Sequence, residues 1–354
     1  MVISADIGAG HDAAAAELGR RLAVRGLRVD RVNLLSLLPP PFPIVVRQVY
    51  RGMLRWLPSG YELLFGLFGR SPALMDAIRG VLRPAGRRLV ARLPADTRAV
   101  VTTFPFANQV VGPLRELGYS GTVLTYVTDF VLHPAWLAAG VDEYCVIHDA
   151  VRDQARAMGV RRTRVVDALV SPRFPASGGV GRAEARRRFG LPEEERLALI
   201  VAGSWGVGEV ERTAADVLAS GCVRPVVVCG RNEALRRRLR GYPGYVFGWV
   251  GDMPTLMSAV DVLVENAGGL TCQESLAVGL PTITYRPIPG HGIANARVLA
   301  GCGLTRYVET PAELSRTLRD VVAAGRTAPR AATGRDMAAM VLDAIAAQTP
   351  SREQ

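Results

Sequence analysis

Lysine is absent from this chain, because all 43 basic residues are arginine. Codon bias in a GC-rich genome accounts for such a composition. The absence excludes Schiff-base catalysis by a lysine and the P-loop lysine that binds phosphates. Long apolar runs are lacking as well, so no membrane-spanning helix is expected. The N-terminus has no basic segment followed by an apolar run, which argues against a signal peptide.

Cysteines are few, odd in number and widely spaced, and most of them lie inside apolar segments. Such a pattern indicates reduced thiols in a cytosolic protein rather than a disulfide framework or a zinc site. The five are Cys145, Cys222, Cys229, Cys272 and Cys302.

The chain has 354 residues, enough for two domains, and is 49% hydrophobic and 21% charged, which is typical of a globular protein. Apolar, β-branched runs alternate with amphipathic segments in both halves, which predicts α/β domains with parallel sheets. A stretch of proline and small residues at 174–181 is typical of a linker. We therefore expect a first domain over 1–174 and a second over 182–330. Residues 331–354 should form a helix that packs back on the first domain, followed by a tail.

The region 42–93 carries most of the excess positive charge, with nine arginines and two acids among many aromatic and aliphatic residues. This mixture suits a surface that contacts anionic lipid headgroups. It suits DNA less, since no recognition motif for nucleic acid is visible. The alternative is a helical insertion whose apolar residues face the core, and the pattern alone does not separate the two.

The stretch 264–296 predicts a strand, a glycine turn, a helix, a second strand and a loop. Backbone amides at a glycine turn that opens a helix can approach a phosphate, and the helix dipole favours its negative charge. Glu274 lies one turn into the helix, where a carboxylate can accept hydrogen bonds from a ribose. The pattern therefore predicts a site for a nucleotide diphosphate. Its phosphate-binding residues are Gly268, Gly269, Leu270 and Thr271.

The order of five such motifs resembles glycosyltransferase family 28, which includes the diacylglycerol glycosyltransferases. They are SADIGAGH at 4–11, VTDF with HPAW at 127–136, GSWGVG at 203–208, VFGWV at 246–250 and the stretch 264–296. The resemblance implies the GT-B fold, in which two Rossmann-like domains with parallel sheets face a central cleft. It also implies a UDP-sugar in the C-terminal domain and a lipid acceptor in the N-terminal domain.

Two residues of the N-terminal domain are candidates for removing the acceptor's proton. His11 follows a glycine loop at a helix start, where the positive dipole would keep the imidazole neutral and able to act as a base. Asp129 follows a predicted strand, at the edge where ligands bind in open α/β sheets. The two could act as a base and its orienting partner. A helix-capping neighbour without chemistry is the alternative for His11. Acceptor-binding candidates are Gly10, His133 and Trp136.

The other donor-site candidates follow from the resemblance. They are Gly203, Ser204, Trp249, Val250, His291 and Asn295. The lipid-forming members usually carry Gln-Glu or Gln-Gln after the Pro-Gly pair, and this chain has His291 followed by glycine, so the sugar it takes is left open.

These motifs predict an inverting glycosyltransferase that moves a hexose from a UDP-sugar to a lipid such as diacylglycerol. No metal or cofactor is expected, because the chain shows no DxD pair and backbone dipoles can stabilise the leaving phosphate. The predicted location is the cytoplasmic face of the membrane, bound peripherally, without nucleic acid as a partner. The alternatives are a soluble natural-product glycosyltransferase, a UDP-sugar 2-epimerase and a non-catalytic nucleotide-sugar-binding protein.

Overall fold

The structure, a computed structural model, describes residues 1–56, 71–175, 179–330 and 334–348, together with positions 60, 62–64, 66 and 67. Parts of the predicted insertion, linker and tail lie outside these residues. The chain divides into two compact units. The first holds Met1–Met53, Gly60–Leu169 and the segment from Ala332, and the second holds Val170–Ala331. The predicted domain bounds stay a prediction.

The first unit is built on a parallel sheet with six strands among the described residues, in the order β2-β1-β3-β4-β5-β6. The strands are β1 Val2–Ser4, β2 Arg31–Asn33, β3 Ala99–Thr102, β4 Thr122–Val127, β5 Glu143–Val146 and β6 Thr163–Val165.

The second unit repeats this plan, and its described strands run in the order β12-β11-β10-β7-β8-β9. They are β7 Leu197–Val201, β8 Arg224–Val228, β9 Tyr245–Phe247, β10 Val262–Glu265, β11 Thr282–Tyr285 and β12 Arg306–Val308. Two parallel sheets with helical crossovers confirm the predicted fold of two Rossmann-like units.

Helices connect the strands in both units. In the first unit they are Ala9–Val24, Phe42–Trp56, Pro72–Val90, Ala107–Val111, Asp149–Ala157 and Met337–Ala346. In the second they are Arg182–Phe189, Val210–Ala219, Glu233–Arg238, Met253–Ala259, Leu270–Ala277, His291–Gly301 and Pro311–Ala324. Short 3₁₀ turns lie at Leu34–Leu37, Gly112–Leu114 and Pro134–Trp136.

The central strand of the second sheet shows why both units need apolar runs rather than alternating patterns. Ala198 and Ile200 pack into one buried cluster, and Leu197 and Leu199 pack into another. Successive side chains of a strand point to opposite faces, and helices cover both faces of a parallel sheet. Every residue of Leu197–Val201 is therefore buried.

The two helices of the 42–93 region differ in what they bury. Pro72–Val90 places Met75, Leu82 and Leu89 in the core of the first unit, as the core-facing interpretation predicts. Phe42–Trp56 instead leaves Phe42, Ile44, Val45 and Val49 exposed to 45–58%. Of these two helices, Phe42–Trp56 therefore fits the surface interpretation.

The strands that the sequence did not predict are β6, β9 and β12, three residues each and only partly buried. Such short, half-exposed runs carry little periodic signal. Within the described residues, none of the helices has the length and apolar character needed to cross a bilayer.

Candidate active site

His11 lies in the first turn of the helix Ala9–Val24, after a loop that turns at Gly8 with φ +89°. Its Nδ1 atom is 2.8 Å from the carbonyl oxygen of Thr103 and 3.0 Å from the hydroxyl of Thr128. A carbonyl can only accept, so Nδ1 carries a hydrogen, and Nε2 is the nitrogen whose lone pair can accept a proton in the corresponding neutral tautomer. This assignment follows from the hydrogen-bond partners.

The partner that orients His11 differs from the predicted one. Thr103 directly follows β3, and Thr128 directly follows β4, so two neighbouring strand ends hold the imidazole. Asp129 is the next residue along the chain and is partly exposed. The prediction that Asp129 orients His11 is therefore wrong for this structure, because Nδ1 already has its two partners. Asp129 retains the position at the strand end on which its own candidacy as a base rests.

The predicted acceptor-binding residues fall into different environments. Trp136 is fully buried, with its ring 6.2 Å from that of His11 and 6.3 Å from that of His133. Its ring is packed between the two histidines in this structure, and a direct acceptor contact of Trp136 stays a prediction. Gly10 lies inside the helix and not in the loop that precedes it. Phe104, which the sequence analysis did not single out, packs edge-on against His11 at 5.0 Å.

The glycine turn of the second unit is organised by Glu265, the last residue of β10. This fully buried carboxylate accepts hydrogen bonds from the backbone amides of Ala267 and Gly268, at 2.7 and 2.6 Å, and from the hydroxyl of Thr284, at 2.5 Å. Burial raises the pKa of Glu265, against the lowering effect of these donors. An acid directly after an apolar run was a visible signal that the sequence analysis passed over.

Two donor-site predictions change as a result. The amide of Gly268 is engaged by Glu265, so it is not available to a phosphate. Gly268 is needed for its shape, with φ +67° and an added Cβ only 2.8 Å from atoms of Asn295 and Leu299. Asn295 is buried and donates to the carbonyl of Ala267 at 3.1 Å, so it supports the turn instead of facing a sugar.

The amides that remain for a phosphate are those of Gly269, Leu270 and Thr271. They stand at the start of the helix Leu270–Ala277, where the first N–H groups have no intrahelical carbonyl to bond. Glu274 lies one turn further and is partly exposed, yet burial of its carboxyl group raises its pKa to about 8. A neutral carboxylic acid can both donate to and accept from a ribose hydroxyl.

Asn266 holds the neighbouring loops of this unit to the glycine turn. Its side-chain amide donates to the carbonyl of Val207 at 2.8 Å, and its own carbonyl accepts from the amide of Ile288 at 2.8 Å. Asn266 therefore holds two loops to the glycine turn: the loop that contains Gly203 and Ser204, and the loop before His291. His291 is the first residue of its helix, which Gly290 precedes with φ +71°.

Trp249 is 54% exposed and lies under the guanidinium of Arg231, which is 4.5 Å from the ring centroid. Trp249 and Val250 line a cavity of about 470 Å³ together with Phe247 and Arg236. An exposed aromatic ring stacked by an arginine is a surface on which a planar base can stack. The geometry therefore keeps both residues as candidates for the base of the nucleotide.

Comparisons with known proteins show which proteins this chain resembles in sequence and in structure. The family profile of monogalactosyldiacylglycerol (MGDG) synthase matches residues 11–168. A processive diacylglycerol beta-glucosyltransferase of Bacillus cytotoxicus is 27% identical over 325 residues, covering 89% of this chain and 83% of that protein. The Bacillus mycoides protein of the same name is 31% identical over 204 residues, which cover 56% of this chain and 52% of that protein.

Among solved structures, MurG of Acinetobacter baumannii superposes with a TM-score of 0.59 at 18% identity, covering 98% of this chain and 99% of that one. The glycosyltransferase of kitacinnamycin gives 0.57 at 19% identity, covering 98% and 92%. The fold is therefore that of the GT-B glycosyltransferases. In sequence, the chain is similar to the MGDG synthase profile and to processive diacylglycerol glycosyltransferases, which confirms the resemblance of its motifs.

Proposed function

We propose that this glycosyltransferase moves a hexose from a UDP-sugar to diacylglycerol, with inversion at the sugar's anomeric carbon, on the cytoplasmic face of the membrane. The observation that carries the proposal is the His11 imidazole, whose Nδ1 is held by Thr103 and Thr128 so that Nε2 is the proton acceptor. The names of the relatives support the acceptor class.

In the proposed reaction His11 Nε2 takes the proton of the acceptor hydroxyl while that oxygen attacks the anomeric carbon. The bond from this carbon to the β-phosphate oxygen breaks, and UDP leaves with the electron pair. The amides of Gly269, Leu270 and Thr271 and the positive end of their helix stabilise the charge that develops on the phosphate. The proposed reaction uses no metal ion, and the prediction that it needs none stays a prediction.

Membrane contact belongs to the same proposal and rests on the helix Phe42–Trp56. Its outer face exposes Phe42, Ile44, Val45 and Val49, and the region around it is rich in arginine. Apolar side chains beside cationic ones are what a peripheral helix presents to anionic lipid.

The test is a donor and acceptor panel analysed by mass spectrometry. UDP-glucose, UDP-galactose and UDP-N-acetylglucosamine are each incubated with diacylglycerol in vesicles and with a water-soluble hydroxylated aromatic acceptor. We expect a glycosylated diacylglycerol, and proton NMR should show a β-linkage formed from the α-linked donor. Transfer to the soluble acceptor alone would favour a natural-product glycosyltransferase, which the unusual His291 loop leaves open. Retention of the α-configuration would refute the inverting step.

A further inference from the structure

One contact joins the exposed helix of the first unit to the loop that carries His11. The guanidinium of Arg47, on the helix Phe42–Trp56, donates to both carboxylate oxygens of Asp6, with nitrogen–oxygen distances of 3.2, 3.1 and 2.7 Å. The side chains of this pair are 30% and 39% exposed, so it is partly shielded from water.

The two faces of the helix Phe42–Trp56 differ in exposure. Successive residues are 100° apart around an α-helix, so Arg47 lies opposite Val45 and Val49. The exposure follows this rule, since Val45 and Val49 are exposed whereas Val46, Arg47 and Tyr50 are half-buried. One face is therefore directed to the surroundings and the other to the glycine loop.

Asp6 is well placed to pass on the position of the helix. It lies two residues before Gly8, whose φ of +89° starts the helix of His11. Burial of the Asp6 carboxyl group opposes ionisation, but hydrogen bonds from Arg47 and Asn33 outweigh it and lower the pKa of Asp6. Between the two ends of the loop, the Ser4 hydroxyl donates to the carboxylate of Asp12.

We propose that Arg47 is a positioning residue for the loop before His11. Through Asp6, Arg47 connects contact of the helix Phe42–Trp56 with an anionic membrane to the conformation of this loop. This rests on the proposed membrane contact. The consequence is that the loop becomes ordered when the helix docks, so that the enzyme works best where its lipid acceptor is present. The bidentate contact makes arginine the suitable residue, because its planar fork matches a carboxylate.

Hydrogen exchange of the full chain, read by mass spectrometry, tests the connection. The protein is mixed with vesicles of phosphatidylcholine alone or with phosphatidylglycerol added, without donor or acceptor. In the unmodified protein we expect anionic vesicles to slow exchange in both the 42–50 and the 5–10 segments. In Arg47→Gln the slowing should persist in 42–50 and be lost in 5–10. With anionic vesicles, exchange in 5–10 should then be about two- to fivefold faster than in the unmodified protein, the range for losing a partly exposed ion pair.

Two further variants separate the contact from the loss of charge. Arg87→Gln removes the same charge from the same basic region, and its exposed side chain makes no contact with the loop, so both segments should respond as in the unmodified protein. Arg47→Lys keeps the charge without the fork and should restore part of the slowing in 5–10. If Arg47→Gln does not fold, the comparison of Arg47→Lys with Arg87→Gln makes the same distinction.

A functional readout completes the test. Turnover on a water-soluble short-chain diacylglycerol should rise in the unmodified protein when acceptor-free anionic vesicles are added, and this rise should be absent in Arg47→Gln. Equal slowing of 5–10 in Arg47→Gln and the unmodified protein would overturn the proposal, as would slowing of 42–50 alone in the unmodified protein. No slowing in either segment would remove the membrane contact and this connection together. Absence of transfer with every donor would refute the proposed function and leave the exchange result standing.

Discussion

At the scale of single residues, the proposed chemistry of the first unit depends on His11, whose Nδ1 atom has two hydrogen-bond partners. Removing the imidazole should lower turnover by about 10²- to 10⁴-fold, the range for losing a general base, and leave UDP affinity nearly unchanged. Steady-state kinetics and calorimetry on His11→Ala measure the two quantities. Asp129→Asn is the matched comparison, since Asp129 is not a partner of Nδ1. A larger loss in Asp129→Asn than in His11→Ala would transfer the role of base to Asp129.

Glu274 predicts a pH dependence of stability. Its pKa is raised from 4.5 to about 8 by burial, so the folded protein holds a proton that the unfolded chain releases between these values. Stability should therefore fall as the pH rises from about 4.5 to about 8. Glu274→Gln has the same shape without a titratable proton, and its stability should fall less over this range, by at least about 1 kcal/mol. Urea unfolding of both proteins at pH 5 and pH 8.5 gives the comparison, and parallel pH profiles would contradict the assignment.

Glu265 acts on the glycine turn that we propose binds the phosphates, through its bonds to the amides of Ala267 and Gly268. Glu265→Gln keeps one acceptor oxygen, and its NH₂ group cannot accept a hydrogen bond. If the remaining oxygen keeps its bond from the Thr284 hydroxyl, the amides of Ala267 and Gly268 lose their acceptor. UDP affinity should fall by about tenfold, the cost of one charge-assisted hydrogen bond near the phosphate loop. Calorimetry with UDP measures this change. Glu309→Gln, at an exposed position of the same unit, is the control and should leave the affinity unchanged.

At the scale of elements, the helix Phe42–Trp56 exposes four large apolar side chains among its described residues. Replacing Ile44 and Val49 by serine should weaken sedimentation with anionic vesicles by at least about tenfold, because each aliphatic side chain contributes roughly 1–2 kcal/mol when it enters lipid. Val81→Ser is the control, since Val81 is 60% exposed on the neighbouring helix Pro72–Val90. Raising the salt concentration should weaken binding of all these proteins. Binding that resists both serine replacements would show that other residues contact the lipid.

At the scale of the whole molecule, the chain returns to the first unit through a tightly packed strand-like segment. Val166 pairs with Arg335, and the Asp167 carboxylate accepts from the amide of Gly334 at 2.9 Å. Asp336 then bonds with Arg21 and Arg25, which ties the helix Met337–Ala346 to the first helix of the chain.

Gly334 is the position at which this return can be tested. A Cβ there would lie 2.5 Å from the backbone carbon of Val166, so Gly334→Ala must displace the segment, at a cost of roughly 1–3 kcal/mol. Thermal unfolding and hydrogen exchange over 337–346 should both show the loss. Gly80→Ala, in a helix of the same unit with open space around the new methyl group, should be neutral or slightly stabilising. Equal stability of the two variants would contradict the packing described.

The sequence alone determined the fold class and the elements with strong local signals. The strands Thr122–Val127, Leu197–Val201 and Thr282–Tyr285 lie where the apolar runs predict them, because a buried parallel strand needs such a run whatever surrounds it. The glycine turns were equally visible, since the backbone angle at Gly268 is one that side chains rarely adopt.

Only the tertiary structure decided which atoms meet. Thr103 is 92 residues from His11 in the chain, and nothing local indicates that its carbonyl orients the ring. The same holds for the burial of Trp136 and for Glu265, which takes the amide that the sequence assigned to a phosphate. Periodicity and turn chemistry act between near neighbours, whereas these contacts depend on which strands lie side by side in the sheet.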